Sequence, residues 1–328
     1  MPNPTVGDVH VNAPLTNISI AYMQDAMNFI ASRVFPNIPV AKQSDRYYIY
    51  DRGDFNRDEM QLRAPGTESA GSGYDLDNTP TYYAPVYAFH KDIADQIRSN
   101  SDSVLSPDRD GTLFVTQKAL IKRERLWATN FFTAGLWTTD ITGVAAAPAA
   151  GQALQWNDAT SDPIADIRLG KRTVLESTGF EPNTLVVSQS VFDALIDHPD
   201  IVDRVKYGAQ SQVSIVDVPE LMALLKIERI LIMKSIYNSA NDGADAVHTF
   251  IGGKSALLCY AAPSPGLMVP TAGYNFSWTG MMGSSALGGR IKKFRMEKLE
   301  SDRIEIQMAF DQKLVSADLG YFFTSIIA

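Results

Sequence analysis

The residues able to do chemistry are few, and their spacing does not suit it. Gly252-Gly253-Lys254-Ser255 has the ending of a phosphate-binding loop, in which backbone N–H groups cradle a phosphate and a Lys neutralises it. That loop needs a Gly five residues before the Gly-Lys pair, where this chain has His248. Gly71-Ser72-Gly73 opens like a dinucleotide-binding turn, but Leu76 stands where the third Gly belongs. No G-x-S-x-G nucleophile elbow occurs. His10, His90, His198 and His248 lack metal-ligand spacing, and Cys259 is the one cysteine. The acidic pairs Asp51/Asp54 and Asp58/Glu59 read as solvated loop charges rather than a cation site. The expectation is a non-enzyme with no catalytic, cofactor-binding or metal site.

What remains is a set of aromatic and basic residues that could bind another protein surface. In the hairpin-like stretch these are Tyr47, Tyr48, Tyr50, Arg52, Arg63, Tyr82, Tyr83 and Tyr87. On the following helix they are Lys118, Lys122 and Arg125, three and four residues apart and so on one face. Aromatic rings and Arg are the side chains that anchor protein–protein contacts. These eleven residues are assigned to a subunit interface, the basic stripe to an acidic neighbour.

The elements that position them follow from pattern. RYYIYDRGDF (Arg46 to Phe55) and TYYAPVYAFH (Thr81 to His90) have high strand propensity and flank a Gly- and Pro-rich tip, a long hairpin. Pro85 marks the returning strand as edge or bulged. A helix from about Asp110 to Thr133 follows, with Leu113, Leu120 and Trp127, then Phe114, Ile121, Ala128 and Phe131, as its apolar stripe. Its length is about 36 Å at ~1.5 Å per residue. Before the hairpin, Pro2, Pro4, Pro14, Pro36 and Pro39 break residues 1–40 into an arm, with a short amphipathic helix at Ile20, Met23, Met27 and Ile30. Such an arm is expected to lie along a neighbour.

From about residue 150 the pattern is α/β. Asp162-Pro163 caps a helix with Ile164, Ile167, Lys171 and Val174 on one face, ended by Gly179. Asn183–Gln189 reads as a buried strand, Ser190–Ile196 as a short helix, and Asp217 with Glu220 as a capping box. Glu228–Tyr237 is a second buried strand, and His248–Ala262, which holds Cys259 in ALLCYAA, one or two more. Ile141–Leu154, rich in Ala, Gly and Pro, reads as a loop. Near the end, Ile304, Ile306, Met308 and Phe310 alternate with polar residues, with IKKFRMEKL as partner strand and DLGYFFTSII as a further strand. This one-sided sheet needs a cover, and the long helix is the expected one.

Composition narrows the function. The 328 residues, 45% hydrophobic and 20% charged, can bury a core of about two domains. A net charge of −8 argues against gripping DNA phosphates over a broad face. One cysteine fits a reducing compartment, and no basic residue precedes Arg33, so the chain is expected to be soluble and cytoplasmic, with no membrane partner.

The order of these parts resembles the tailed-bacteriophage major capsid proteins, with their Hong Kong 97-type fold. In that resemblance residues 1–40 are the N-terminal arm and 41–95 the extended E-loop. Residues 96–145 with 288–328 form the peripheral domain, an α+β unit with a long spine helix on β-strands. Residues 146–287 form the α/β axial domain. The resemblance implies copies assembling as hexamers and pentamers into an icosahedral shell around double-stranded DNA. It implies a portal, a scaffolding protein and a cement protein as partners, assembly in the host bacterial cytoplasm, and residence in the virion. Some relatives crosslink through an E-loop Lys. No Lys lies between Lys42 and Lys91, so a non-covalent shell is expected. With the E-loop reached by about residue 41, a scaffold separate from this chain is expected. The alternatives are an encapsulin-type compartment shell, an α/β enzyme with a long lid, and a tail-tube or adhesin component, which would be mainly β.

Overall fold

A computed structural model describes residues 23–101, 105–208, 216–282 and 289–328. Two sheets organise it. Their common frame is the long helix Pro107–Phe131 and the 14-residue strand Ser301–Leu314.

The long strand does two jobs along its length. Its first part pairs antiparallel with Gly289–Met296 on one side and Val86–Ala94 on the other. Its last part pairs with Gly273–Trp278, which pairs in turn with the parallel strand Asn37–Val40. The alternation read in the sequence is what buries Ile304, Met308 and Phe310. Pro39 is tolerated because Asn37–Val40 is an edge strand.

The helix covers this sheet, as expected, but not with the expected face. Its buried residues are Gly111, Val115, Ala119, Arg123, Trp127 and Phe131, with Glu124. A spacing of four residues advances about 40° per step, so the buried line turns by about 200° from first to last. The first half therefore faces the strands, and the second half faces the other domain. Leu113 and Phe114, expected on the buried stripe, are exposed.

The second sheet has six strands. Arg229–Met233 and Thr184–Ser188 are parallel, followed by Ala256–Cys259, Gly320–Thr324, Thr139–Val144 and Gln152–Leu154. Two expectations are corrected here. Ile141–Leu154 is not a loop, since its two short strands pair in parallel at the sheet edge. Small residues hide the strand signal there, and Gly143 is required: a Cβ on it would lie 2.2 Å from the Ser325 carbonyl oxygen. The final strand, Gly320–Thr324, and Thr139–Val144 were expected with the peripheral domain. They are hydrogen bonded within this sheet instead.

Helix Pro163–Thr178 packs on the sheet and begins and ends as its sequence dictates. The Asp162 carboxylate accepts the Ala165 N–H at 2.9 Å, and Gly179 adopts φ +78°, a conformation open to Gly. Ile164, Ile167, Lys171 and Val174 are all buried. The capping box of Asp217 and Glu220 starts Val218–Leu225. Lys171 reaches the end of that helix, donating to the carbonyls of Leu225 (3.2 Å) and Lys226 (2.7 Å), with Glu181 at 2.7 Å. Helix-end carbonyls need such donors.

From Phe29 onward the arm packs into its own chain. Phe29, Ile30, Ala31, Val34 and Phe35 are core residues of this chain, with Phe35 against Trp127 and Phe131. Their backbone is satisfied by distant side chains. Glu124 accepts from Ile30 and Ala31, Asn275 donates to Ala31 and Phe35, and Arg229 donates to Arg33 and Val34. The expected amphipathic helix lies partly outside the described residues. From Met23 onward the chain forms only a 3-10 turn at Ala26–Asn28.

Candidate functional site

The groups that resembled chemical sites separate in space. Gly252–Ser255 forms a turn between two strands of different sheets, with no helix after it to hold phosphate. Gly71 and Gly73 lie in the irregular exposed tip of the hairpin. Cys259 is fully buried, and burial pushes its thiol up to about 12, which makes it unreactive. Ser161 Oγ lies 3.1 Å from His198 Nε2, but His198 Nδ1 accepts the Asp200 N–H. Nε2 therefore carries the proton and cannot act as a base toward Ser161. Among the described residues no cluster of three His, Cys, Asp or Glu side chains could hold a metal.

The hairpin is built from short pieces rather than two long strands. Ser44–Arg46 pairs with Thr81–Tyr83, and Ile49–Tyr50 with Leu76–Asp77. Asp51 caps a single turn, Arg52–Phe55, and residues 56–75 have no regular structure. Pro85 falls in the break before Val86–Ala94, which belongs to the peripheral sheet and not to the arm.

The eleven expected interface residues divide into three sets. Tyr82 is 6% exposed and stacked on Phe276 at 4.6 Å, and Tyr47 packs on the same ring at 5.7 Å. Tyr87 packs on Phe310 at 5.5 Å. Burial raises the phenol pKa of all three. Tyr47 and Tyr82 hold the root of the hairpin to its own chain, and Tyr87 holds the strand that follows it to the long strand.

The second set is engaged at the surface. Tyr50 joins Phe55 and Tyr74 in an aromatic trio, with centroids 5.5 to 5.9 Å apart. Arg52 pairs with Asp318 at 3.0 Å. Lys122 lies over Tyr87 (5.3 Å), Arg125 over Tyr237 (4.5 Å) and Lys118 over Phe114 (5.4 Å). Each cation of the basic stripe thus has an aromatic ring of this chain beneath it.

The third set is open. Tyr48 is 64% and Tyr83 58% exposed, and Arg63 donates to the Thr67 carbonyl within the tip. In the irregular tip Met60 and Leu62 are both almost fully exposed, which sequence periodicity did not flag. Two large apolar residues in a charged loop (RDEMQLR) are the signal that could have found them. Leu267 is equally exposed in a second loop.

At the far end of the peripheral sheet lies an ion-pair network. Arg98 bonds Asp108 (2.9 Å) and Asp302 (2.8 Å), Lys293 bonds Asp108 (2.9 Å), Arg295 bonds Asp95 (2.6 Å) and Arg303 bonds Asp92 (2.7 Å). Arg303 holds Asp92, Arg295 holds Asp95 and Lys293 holds Asp108 below the usual carboxylate range. Burial opposes the same shift at Asp302, where Arg98 and Arg295 prevail.

Paired sheets on one long helix and a long strand, with a protruding hairpin, are the parts of a shell subunit. The comparisons agree. A family model described as "Phage major capsid protein E" matches residues 145–286. The major capsid protein of Burkholderia phage BcepMu is 25% identical, covering 96% of each chain. That of Pseudomonas phage JBD67 is 24% identical, covering 97% of each. Among solved structures, a phage-related protein from Bordetella bronchiseptica superposes with TM-score 0.67 at 20% identity, covering 91% of this chain and 92% of that one. The mature capsid of bacteriophage PhiM1 does so with 0.58 at 12%, covering 97% and 92%. The Synechococcus elongatus encapsulin shares the fold more distantly, at 0.53 and 10% identity, covering 96% and 92%.

The class is therefore the Hong Kong 97-type capsid fold. Over nearly its whole length the chain is similar to the major capsid proteins of phages.

Proposed function

We propose that copies of this chain assemble as hexamers and pentamers into a non-covalent icosahedral shell around the double-stranded DNA of a tailed phage. The carrying observation is the hairpin: its root is fixed to its own chain by Tyr82 on Phe276, while Met60, Leu62, Tyr48 and Tyr83 present surface that the described residues leave open to another copy. A shell subunit needs such surface, because each copy completes its neighbour. The net charge of −8 suits a container that does not trap the DNA it holds. With no Lys in residues 43–90, the hairpin has no amine for a covalent crosslink. Scaffolding and portal proteins act during assembly in the host cytoplasm, and a cement protein is a further partner on the finished shell. The described residues include no helix long and apolar enough to cross a membrane.

Denaturing electrophoresis of mature particles tests the non-covalent shell: a monomer band is expected, and a covalent ladder contradicts it. The encapsulin alternative is weaker because the sequence relatives are phage major capsid proteins. DNA rather than a protein cargo inside the particles is the expected discriminator.

A further inference from the structure

The α/β domain carries a cationic cleft of ≈ 370 Å³ between helix Pro163–Thr178 and the end of helix Val218–Leu225. Arg168, Lys171, Arg172 and Lys226 line it together with one anion, Glu181, and Leu175 and Leu224 form its apolar wall. Lys171 is buried at its base and committed to Glu181 and two carbonyls. Arg168, Arg172 and Lys226 are exposed, and among the described residues none of them forms an ion pair. Three open cations at one place are unusual in a chain of net charge −8.

The same domain has the matching charge elsewhere. Asp193 and Asp197 are exposed, one helical turn apart, on and just after helix Gln189–Ile196, and Asp200 follows in the first turn of the next helix. Among the described residues none of these three forms an ion pair, and Asp193 takes only the Gln189 amide. The two surfaces start from opposite ends of the sheet. Lys226 and Glu181 immediately precede the parallel strands Arg229–Met233 and Thr184–Ser188, whereas Gln189 follows the second of them. Five residues of strand span about 17 Å.

Closed rings need heterologous contacts, in which each copy offers two different patches and each patch meets the other kind on the next copy. We infer that the cleft of Arg168, Arg172 and Lys226 receives the Asp193–Asp197–Asp200 surface of a second copy, forming the repeating contact of the ring. This rests on the shell reading above and adds the residues that join its α/β domains. Opposite charges at this contact guide the copies into register, while like charges there repel. Leu175 and Leu224 supply the apolar part of the seat.

The test is charge exchange in the full chain, under conditions where the unmodified chain forms shells. R168E/R172E and, separately, D193K/D197K are each expected to lower particle yield at least about tenfold. Their unfolding temperatures should match the parent, since all four side chains are exposed. The combined R168E/R172E/D193K/D197K chain is expected to recover assembly. Normal yield from either reversal overturns the proposal, as does failure of the combined chain while it remains folded. R168A/R172A should show an intermediate yield and guards against misfolding of the reversals. Normal shells from every variant would leave the shell reading standing and sink only this contact. No shells from the unmodified chain, with its scaffold present, would overturn both.

Discussion

The Glu124 carboxylate accepts the backbone N–H of Ala31 at 2.8 Å, from 93 residues further along the chain. It also takes the Ile30 N–H at 3.0 Å and the Ser235 hydroxyl at 3.3 Å. One buried side chain on the long helix thus joins the entering arm, the helix and the α/β domain. Burial pushes its carboxyl pKa up, and the two N–H donors work against that rise. Next to it, burial pushes the Arg123 guanidinium down to about 10, and its plane lies over Phe310 at 5.1 Å.

Replacing Glu124 with Ala leaves two buried N–H groups without their acceptor. The expected loss is roughly 3 kcal/mol of stability. Proteolysis should then cut first near residues 25–35. Thermal unfolding of the unassembled chain and mapping of the cut sites measure both. A parent-like Tm would show that the junction is not held this way.

The tyrosines of the hairpin should divide by burial. Tyr82→Ala removes a ring stacked on Phe276 and is expected to cost about 3–5 kcal/mol of folding stability. Tyr48→Ser and Tyr83→Ser should stay within ~0.5 kcal/mol of the parent and reduce assembly instead. Paired measurements of Tm and particle yield separate the two outcomes. Equal stability losses at all three positions would contradict the division.

That division was only partly legible in sequence. The aromatic richness of Arg46–Phe55 and Thr81–His90 located the hairpin, but alternation does not say whether a ring meets its own chain or another. The same limit hid the true face of the long helix. A stripe through Leu113, Leu120 and Trp127 assumes one partner along the whole length, whereas the buried line rotates because the partner changes from the peripheral strands to the arm and the α/β domain. Capping signals at Asp162, Gly179 and Asp217 are local chemistry and were read directly. The seat of the arm was not, because its backbone bonds come from Glu124, Asn275 and Arg229, far away in sequence.

Acid should loosen the ion-paired end of the peripheral sheet before its other end. Asp92, Asp95, Asp108 and Asp302 have lowered pKa values in the fold. Their stabilisation is therefore complete above the ordinary carboxylate value of about 3.9 and is lost as pH falls through the depressed folded values. Hydrogen exchange at pH 3 is expected to quicken in residues 86–100 and 289–303 relative to 273–278. Uniform exchange across the sheet would show that the network adds nothing.

The exposed tip offers a sharper separation of folding from assembly. Met60→Asp with Leu62→Asp alters side chains that this chain leaves in solvent, so stability should stay within ~0.5 kcal/mol of the parent. Particle yield should fall, since the substitution places charge where the proposed shell has an apolar contact between copies. Sedimentation of the variant measures this, and undiminished particles would place the contact elsewhere.

Electron microscopy of the purified chain, produced together with its scaffolding protein, tests the shell function most directly. Closed icosahedral particles with six- and five-membered rings are the expected result. A uniform population of monomers or small open oligomers under the same conditions would contradict it.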